Sequence, residues 1–431
     1  MLASSGRFVQ LAWRKSACKS AAAASTRSVV RPDLNFDYLL DEANVSCIRK
    51  NIASRKGIGD IDALRAVWKS IETFDPAQHS DKETAEKRYN ELWDKLYEEA
   101  LLIPNFSHKD APEGDESAAC VVRTIGARQR EGKLFTAEAL VKGWRSLFHP
   151  TTTSGKRSYA FLGSLSNLES QLLKFAYTKA VENGFKPVAV SDLVEKKVTA
   201  ACGLVQRAEH TNIQYVLNDH PETCLSGTAE MGISALLRDR VIREEDLPLK
   251  MVAYSRCFRP EVSKSATEAR LYRVHEFTKV EMFTVCAPEE SENELQHLLD
   301  VQTDIFENLG LHCRVLDMPT QELGAPASRK FDIEAWMPGR KVFGEVSSTS
   351  NCTDFQSRRL NLTIKRRDES RCHAHTCNGT AIASTRAIVA LLETLQTDKK
   401  GFTLPECLGI SQRSRPIKLQ QSSAFSYSFD C

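Results

Sequence analysis

CFRPEVSKSATEARLYRVHEFTKVEMF, residues 257–283, carries two segments in which side-chain character alternates with a period of two. The first segment continues upstream as LKMVAYSRCFRPE (249–261), and its alternation places Arg259 and Glu261 on one face of a strand. The second segment places five further residues on one face, namely Arg273, His275, Phe277, Lys279 and Glu281. The spacing therefore predicts two neighbouring strands that form a hairpin.

The charge on this strand face has two interpretations. Two arginines, two acids, a histidine and a lysine are not suited to burial in an apolar core. The face is therefore either exposed to solvent, which is the usual meaning of charged residues, or it forms the floor of a site for a doubly charged ligand. The alternation alone does not choose between the two.

The composition excludes several classes of protein. The chain has 431 residues, of which 42% are hydrophobic and 26% charged, as expected of a globular protein with two or three domains. No apolar run approaches the roughly 18 residues that a membrane-spanning helix needs. The 13 cysteines are scattered, odd in number and without a C-x-x-C pair, which indicates reduced thiols in an interior compartment.

The first 32 residues are typical of a mitochondrial transit peptide. They are rich in alanine and serine and have no acidic residue, but six basic ones: Arg7, Arg14, Lys15, Lys19, Arg27 and Arg31. The alternative is a disordered basic tail without a targeting role. Removal of these six charges changes the net charge from +2 to −4. Contact with nucleic acid must therefore depend on local basic patches.

Two amphipathic helices are predicted after this leader. Apolar residues recur at helical spacing in DIDALRAVWKSI (60–71) and again in DKETAEKRYNELWDKLYEEALLIPN (81–105). The short connection contains Pro76 and an N-cap candidate in Ser80 or Asp81, so the helices are expected to fold back as an antiparallel hairpin. Two prolines and a glycine predict a domain boundary near residues 105–117.

The stretch CHAHTCNGT, residues 372–380, has the residue types of a zinc site. Zinc sites usually combine two separated pairs of ligands, and only one cluster is present. In an extended chain His373, His375 and Cys377 share a face from which Cys372 points away. The favoured interpretation is the end of a strand, with a turn at NGT that leads into a helix.

Five stretches, in order along the chain, match one family. They are LLIPNFSHKDAPEG (101–114), GTAE (227–230), the hairpin at 257–283, GEVSSTSNCTDFQSRRL (344–360) and HTCNGTAIASTRAIVALLETLQ (375–396). Together they resemble the class II aminoacyl-tRNA synthetases, and specifically the seryl-tRNA synthetases of the mitochondrial kind. The resemblance implies an α+β fold with an antiparallel sheet flanked by helices and preceded by a short helical hairpin. It also implies that CHAHTC is a strand and that a metal site there is not expected.

The resemblance further implies a reaction, and four segments are expected along the chain. The composition predicts a transit peptide (1–32), and the resemblance implies a shortened helical tRNA-binding arm (33–110) and a class II catalytic domain (111–410). The tail (411–431) resembles nothing in the family and is expected to be disordered. The reaction is that of a serine–tRNA ligase, which activates serine with ATP and Mg²⁺ and transfers it to mitochondrial tRNA(Ser). We expect a homodimer in the mitochondrial matrix, without membrane or DNA contacts.

The resemblance assigns an ATP site. Arg259 is expected at the α-phosphate and the substrate carboxylate, and Arg386 at the γ-phosphate, because arginines neutralise crowded anions. Glu345 is expected to bind magnesium, with Ser348 beside it. Glu261 is similar to the acid that contacts the adenine amino group, and Phe277 to the ring that stacks on adenine. The remaining expected ATP contacts are Val274, His275, Val346 and Ser347.

A serine site is expected next to it. The ammonium group of serine requires carboxylates, which Glu230 and Glu281 provide. The hydroxyl requires a partner that donates and accepts, and Thr228, Asn378 and Thr380 are suited to this. Such a pocket rejects alanine because alanine leaves the polar groups unpaired. The expected catalytic residues are Arg259, Glu281 and Arg386.

Three departures from the family pattern leave a second function open. Ser191 stands where the first signature motif, at the dimer interface, has proline, and Ala269 and Arg270 replace an Arg-Gly pair in the loop that handles the tRNA acceptor end. The first helix of the arm is also short. The alternative is a catalytically inactive mitochondrial paralogue that acts as an RNA-binding or partner protein. The intact pocket favours the enzyme, and the altered loop and arm favour the paralogue.

Overall fold

The computed structural model describes residues 31–127, 134–141, 148–149, 157–204, 213–261, 271–397 and 401–409. Nearly all of the predicted transit peptide, the loop residues Ala269 and Arg270, and the predicted disordered tail lie outside these ranges. The chain divides into two compact units. One ends at Pro104, and the other consists of Ser54–Lys56 and the residues from Asn105 onward.

The first unit is helical. Its helices are α1 (Phe36–Leu39), α2 (Val45–Ser54), α3 (Ile61–Glu72) and α4 (Lys82–Leu102). The ring centroids of Trp68 and Trp93 lie 6.0 Å apart and those of Phe74 and Tyr89 5.3 Å apart, so α3 and α4 run antiparallel. The Asp81 side chain accepts a hydrogen bond from the Thr84 amide at 2.8 Å and so caps α4. The predicted helical hairpin is confirmed.

The second unit is built on an eight-stranded sheet. In spatial order its strands are β1 (Cys120–Ile125), β11 (Cys313–Asp317), β12 (Arg329–Met337), β13 (Val342–Thr353), β16 (His375–Ala383), β10 (Glu276–Cys286), β9 (Leu249–Phe258) and β4 (Lys186–Val188). All neighbours are antiparallel except β4 and β9, which are parallel. The predicted α+β class and the predicted hairpin, β9 and β10, are confirmed.

Helices and small sheets surround this sheet. The helices are α5 (Ala137–Val141), α6 (Ser164–Glu182), α7 (Lys196–Ala201), α8 (Ala229–Leu237), α9 (Ser291–Asn308), α10 (Phe355–Leu360) and α11 (Ser384–Thr394). The small strands are β2 (Phe148–His149), β3 (Ala160–Phe161), β5 (Leu193–Glu195), β6 (Val216–Leu217), β7 (His220–Leu225), β8 (Val241–Arg243), β14 (Thr363–Lys365) and β15 (Arg371–His373). Within the ranges described above, no helix combines the length and the apolar character that a membrane span requires.

Apolar side chains cover both faces of the sheet. Met282 packs with the main core, to which α6, α9 and α11 contribute Leu172, Leu298 and Ile388. Its neighbour Phe283 points to the opposite face and packs in a second cluster with α8. Because side chains alternate along a strand, Phe283 shares its face with Glu281 and Lys279. The second cluster therefore borders the charged residues that the sequence singled out.

The turn predicted at NGT is wrong. Strand β16 continues through Asn378, Gly379 and Thr380 and ends at Ala383, where α11 begins. Turn-forming residues stay extended here because β16 pairs with β10 on one side and with β13 on the other. A Cβ on Gly379 would lie 3.1 Å from the Gln302 side chain, so close packing is one reason for glycine at this position.

Candidate active site

The charged face of β10 is buried. Lys279 is 5% exposed and Glu281 3% exposed. Phe277 lies opposite Cys257 of β9, and Lys279 lies opposite Ser255. The solvent-exposed interpretation of this face is therefore wrong at these positions, and the face forms the floor of a cavity.

That cavity has a volume of about 210 Å³ and collects most of the predicted site residues. The predicted residues that line it are Thr228, Glu230, Arg259, Phe277, Glu281, Glu345, Val346, Ser347, Ser348, Asn378, Thr380 and Arg386. It is also lined by Lys279, Ser350 and Ala383, to which the sequence assigned no role. The predicted residues Glu261, Val274 and His275 do not line it.

One end of the cavity is acidic. Glu230 lies in the first turn of α8, where the Thr228 hydroxyl accepts a hydrogen bond from the Glu230 amide at 3.3 Å. Gln356 donates to the Glu230 carboxylate, and the Thr376 hydroxyl donates to the Gln356 carbonyl at 2.7 Å. Burial, and after it the proximity of Glu281, raises the pKa of the Glu230 carboxyl. This end of the cavity is therefore suited to a cation.

The other end presents two guanidinium groups. Arg386 forms an ion pair with Glu345 at 3.2 Å and stacks on the Tyr272 ring, 4.8 Å from its centroid. The Arg259 guanidinium lies 5.2 Å from the centroid of the Phe277 ring. Burial by itself raises the pKa of the Glu345 carboxyl, but Arg386, and more weakly Lys330 and Arg259, lower it to about 2. Glu345 is therefore ionised at neutral pH.

A second, larger cavity of about 860 Å³ also includes Glu345. Its other acidic lining residues are Glu116, Glu138, Glu322, Asp332 and Glu334. The Lys330 ammonium lies 2.7 Å from the Asp332 carboxylate. Burial raises the pKa of the Asp332 carboxyl to about 7, although Lys330 opposes the shift. Glu345 lines both cavities.

Three predicted ATP contacts lie beside the smaller cavity. Val274 is buried in a small cluster with Cys257, Phe277 and Ala383. The His275 Nδ1 atom lies 3.0 Å from the Tyr215 hydroxyl and 3.1 Å from the Arg259 carbonyl oxygen. Glu261 lies 3.6 Å from Arg273, which lines the larger cavity. Their role in ATP binding stays a prediction.

Gln302 of α9 holds the strands of the site together. Its side-chain nitrogen is 2.9 Å from each of three acceptors, the Ser347 hydroxyl and the carbonyl oxygens of Ser348 and Thr380. Gln302 is fully buried and connects β13 with β16 behind the cavity. A polar residue on the apolar stripe of Leu298, Leu299 and Ile305 was the sequence signal that could have revealed it.

Replacing Gln302 with leucine is expected to destabilise the fold by about 1–3 kcal/mol, because the buried Ser348 carbonyl loses the donor that Gln302 provides, and the Thr380 carbonyl keeps only the Ser347 hydroxyl among its side-chain donors. The shift should appear as a lower midpoint in urea unfolding. Gln296→Leu on the same helix is the matched control, since Gln296 is exposed and bonds only Asp300 among the contacts described for it. Equal midpoints for the two variants would contradict this role.

The cysteines and histidines of residues 372–380 are divided between two strands. Cys372 and His373 belong to β15, and His375 and Cys377 to β16. His375 Nδ1 lies 2.9 Å from the Ser291 hydroxyl, and the Cys377 thiol donates to the Ser291 carbonyl at 3.4 Å. In the described part of the chain, no group of three or more histidine, cysteine or acidic side chains could hold a metal.

Comparison with known proteins agrees with this geometry. Residues 215–395 match the tRNA synthetase class II core domain (G, H, P, S and T). The serine–tRNA ligase of Treponema denticola is 34% identical over 415 residues, which cover 86% of this chain and 97% of that protein. The chain belongs to the serine–tRNA ligase family. The prediction of this family from the sequence motifs is confirmed.

Other members of the serine–tRNA ligase family extend the comparison. The mitochondrial serine–tRNA ligase of Mus musculus is 44% identical over 327 residues, which are 74% of this chain but only 62% of the mouse protein. The seryl-tRNA synthetase of Pyrococcus horikoshii, solved with ATP, superposes with a TM-score of 0.71 at 28% identity. That likeness covers 94% of this chain and 92% of the archaeal one.

Proposed function

We propose that this chain is a serine–tRNA ligase that activates serine with ATP and transfers it to mitochondrial tRNA(Ser). The observation that carries this proposal is one cavity with an acidic end at Glu230 and Glu281 and a guanidinium end at Arg259 and Arg386. A small amino acid carries an ammonium and a carboxylate group, and the two ends complement them. The names of the family members and the ATP complex of the archaeal relative support the same reaction.

The acidic end is the proposed serine site. Glu230 and Glu281 accept from the serine ammonium. Thr228, Asn378 and Thr380 are the proposed partners of the serine hydroxyl, and the Thr380 hydroxyl already donates to Glu281 at 3.1 Å. Without the hydroxyl, these buried polar groups lose a partner, so alanine is expected to bind poorly.

The guanidinium end is the proposed site of the phosphates. A serine carboxylate oxygen attacks the α-phosphorus, a new P–O bond forms, and the bond to the bridging oxygen breaks to release pyrophosphate. Arg259 stabilises the charge at the α-phosphate, and Arg386 that at the γ-phosphate. Phe277 is the proposed platform for adenine, with Glu261 at its amino group. Further ATP contacts are proposed for Val274, His275, Val346, Ser347 and Ser348.

Glu345 is the proposed magnesium ligand. Its carboxylate is ionised, lines both cavities and is a hard oxygen donor, which is the ligand type that Mg²⁺ prefers. Mg²⁺ in nucleotide sites is usually held by one or two carboxylates together with phosphate oxygens, so no cage of three acids is needed. Bound Mg²⁺ would neutralise part of the phosphate charge.

The proposal also includes the domain boundaries, the cellular location and the oligomeric state of the protein. A mitochondrial transit peptide at residues 1–32 and residence in the matrix fit the basic, acid-free leader and the mitochondrial relatives in mouse and yeast. We propose that residues 33–110 form the tRNA-binding arm, residues 111–410 the catalytic domain and residues 411–431 a disordered tail. The proposed homodimer follows from membership of the family.

Serine-dependent exchange of labelled pyrophosphate into ATP tests the enzyme directly. The purified chain without residues 1–32 is expected to catalyse this exchange with serine, and alanine is expected to support it at least about 100-fold less well. Charging of mitochondrial serine tRNA is then measured with the same protein. Absence of serine-dependent exchange from the folded protein would contradict the proposed activity. Exchange without charging of tRNA would favour the non-charging alternative.

A further inference from the structure

Lys279 is a buried cation at the acidic end of the cavity. It is 5% exposed and lines the cavity from the middle of β10. Its ammonium lies 2.5 Å from the Glu281 carboxylate and donates to the Thr380 hydroxyl at 3.3 Å. An ammonium has three hydrogens to donate, and both contacts are groups assigned above to serine.

The charges around Lys279 come from several elements. On the acidic side are Glu230 of α8 and Glu281 of β10, with the Cys257 thiol of β9 nearby. On the opposite side are Arg259, which follows β9, and the Glu345–Arg386 ion pair of β13 and α11. Among the residues that the structure describes in this lining, Lys279 is the cation with an ion pair to Glu281, whereas Arg386 is paired with Glu345.

We propose that Lys279 is a positioning residue of the serine site, which orients the Glu281 carboxylate so that Glu281 and Glu230 together accept the serine ammonium. The inference rests on the proposed function. Two carboxylates facing one small cavity repel each other, and one of them tends to retain a proton. The Lys279 ammonium complements one of the two carboxylates, and the ammonium of serine can complement the other.

The surroundings of Lys279 support this role over a purely structural ion pair. Burying an ammonium–carboxylate pair is costly, and an apolar pair of similar volume would often stabilise the fold as well or better. The pair also lies in the cavity lining, where it contacts groups that face the ligand. Lys279 lowers the pKa of Glu230, against the larger upward shifts from burial and from Glu281.

The test measures pyrophosphate exchange by Lys279→Met over a range of serine and ATP concentrations. The KM for serine is expected to rise at least about 10-fold, because one charge-assisted contact of Glu281 is lost. The KM for ATP is expected to change less than about 3-fold, since the ATP contacts remain. Lys250→Met is the matched control, because Lys250 of β9 forms an ion pair with Glu294 at 3.2 Å and does not line the cavity.

The pH dependence distinguishes positioning from packing. Burial and Glu281 raise the pKa of Glu230 and Lys279 lowers it, so Lys279→Met should raise this pKa further, and the KM for serine should then fall as the pH rises from the acid into the neutral range. The wild type should change less over this range. A double-mutant cycle with Glu281→Gln is expected to show that Lys279→Met has little further effect once Glu281 is neutral.

Each outcome has one meaning. If the wild type shows no serine-dependent exchange, the proposed function is wrong, and the positioning role of Lys279 is wrong with it. If the wild type is active and folded Lys279→Met keeps the wild-type KM for serine, or changes the KM for both substrates equally, the positioning role is wrong. If Lys279→Met does not fold, Lys279→Gln, which keeps one hydrogen-bond donor without the charge, is measured by the same criteria.

Discussion

Replacing Arg259 with alanine is expected to slow serine-dependent pyrophosphate exchange by about 100- to 1000-fold, with little change in stability. The Arg259 side chain contributes little to the fold, since the bond it donates to the Gly227 carbonyl is long, at 3.4 Å, and its other described contact is the Phe277 ring. Its guanidinium lines the cavity where negative charge increases as the carboxylate attacks the α-phosphate. Single-turnover adenylate formation measures the effect on the chemical step.

Arg256→Ala is the matched control for this variant. Arg256 lies three residues upstream on β9, is exposed and forms its ion pair with Glu276. The Arg256→Ala variant should therefore retain the wild-type exchange rate. If Arg259→Ala activated serine as fast as Arg256→Ala, the assignment of Arg259 to the α-phosphate would be wrong. Arg386 is less suited to this test, because its ion pair with Glu345 and its stacking on Tyr272 are also parts of the fold.

Removing the helical hairpin α3–α4 is expected to abolish tRNA charging while serine-dependent pyrophosphate exchange remains nearly intact. Helical RNA is recognised mainly through its shape and phosphates, for which a helical pair with basic residues is suited. The exposed basic residues of the pair include Lys69, Lys87, Arg88 and Lys95. Loss of their phosphate contacts should also flatten the dependence of tRNA binding on salt concentration.

The structure defines where this deletion should begin and end. A Cβ on Gly59 would lie 2.8 Å from the Leu102 carbonyl oxygen, so the two ends of the hairpin are adjacent and a short linker can replace residues 61–102. A deletion that began at residue 45 would also remove Arg55. The Arg55 guanidinium donates to the carbonyl oxygens of Asn105 at 2.6 Å and Ala327 at 2.8 Å, all within the second unit. Charging that survived the shorter deletion would show that tRNA recognition lies elsewhere.

Much of the site was accessible from the sequence because its motifs are local. The alternation in residues 249–283 identified β9 and β10, and the motifs around Thr228, Glu345 and Thr380 identified side chains that line one cavity. The helix expected after NGT is α11, which buries Ile388 and Leu391, and Asp81 was a correct N-cap candidate. Each of these signals extends over a few turns or one strand, which is the range over which periodicity and capping act.

Other features depended on which strands became neighbours. Asn378, Gly379 and Thr380 have the local preference of a turn, and only pairing with β10 and β13 keeps them extended. The contact of Gln302 with Ser348 and Thr380 joins residues 46 and 78 positions apart, and no local pattern relates them.

Lys279 illustrates at one position what the sequence predicts and what depends on the tertiary structure. Its sequence neighbours indicated only that it shares a strand face with Glu281, and this left both a solvated and a ligand-binding face open. Two distant segments decide between these interpretations. Helix α8 brings Glu230 to the cavity, and strand β16 brings Thr380 to the Lys279 ammonium. Strand periodicity determines which face a side chain occupies, because successive residues of an extended chain point in opposite directions. Burial and the sign of the surrounding charge depend on distant segments packed against that face, and so only the tertiary structure decides them.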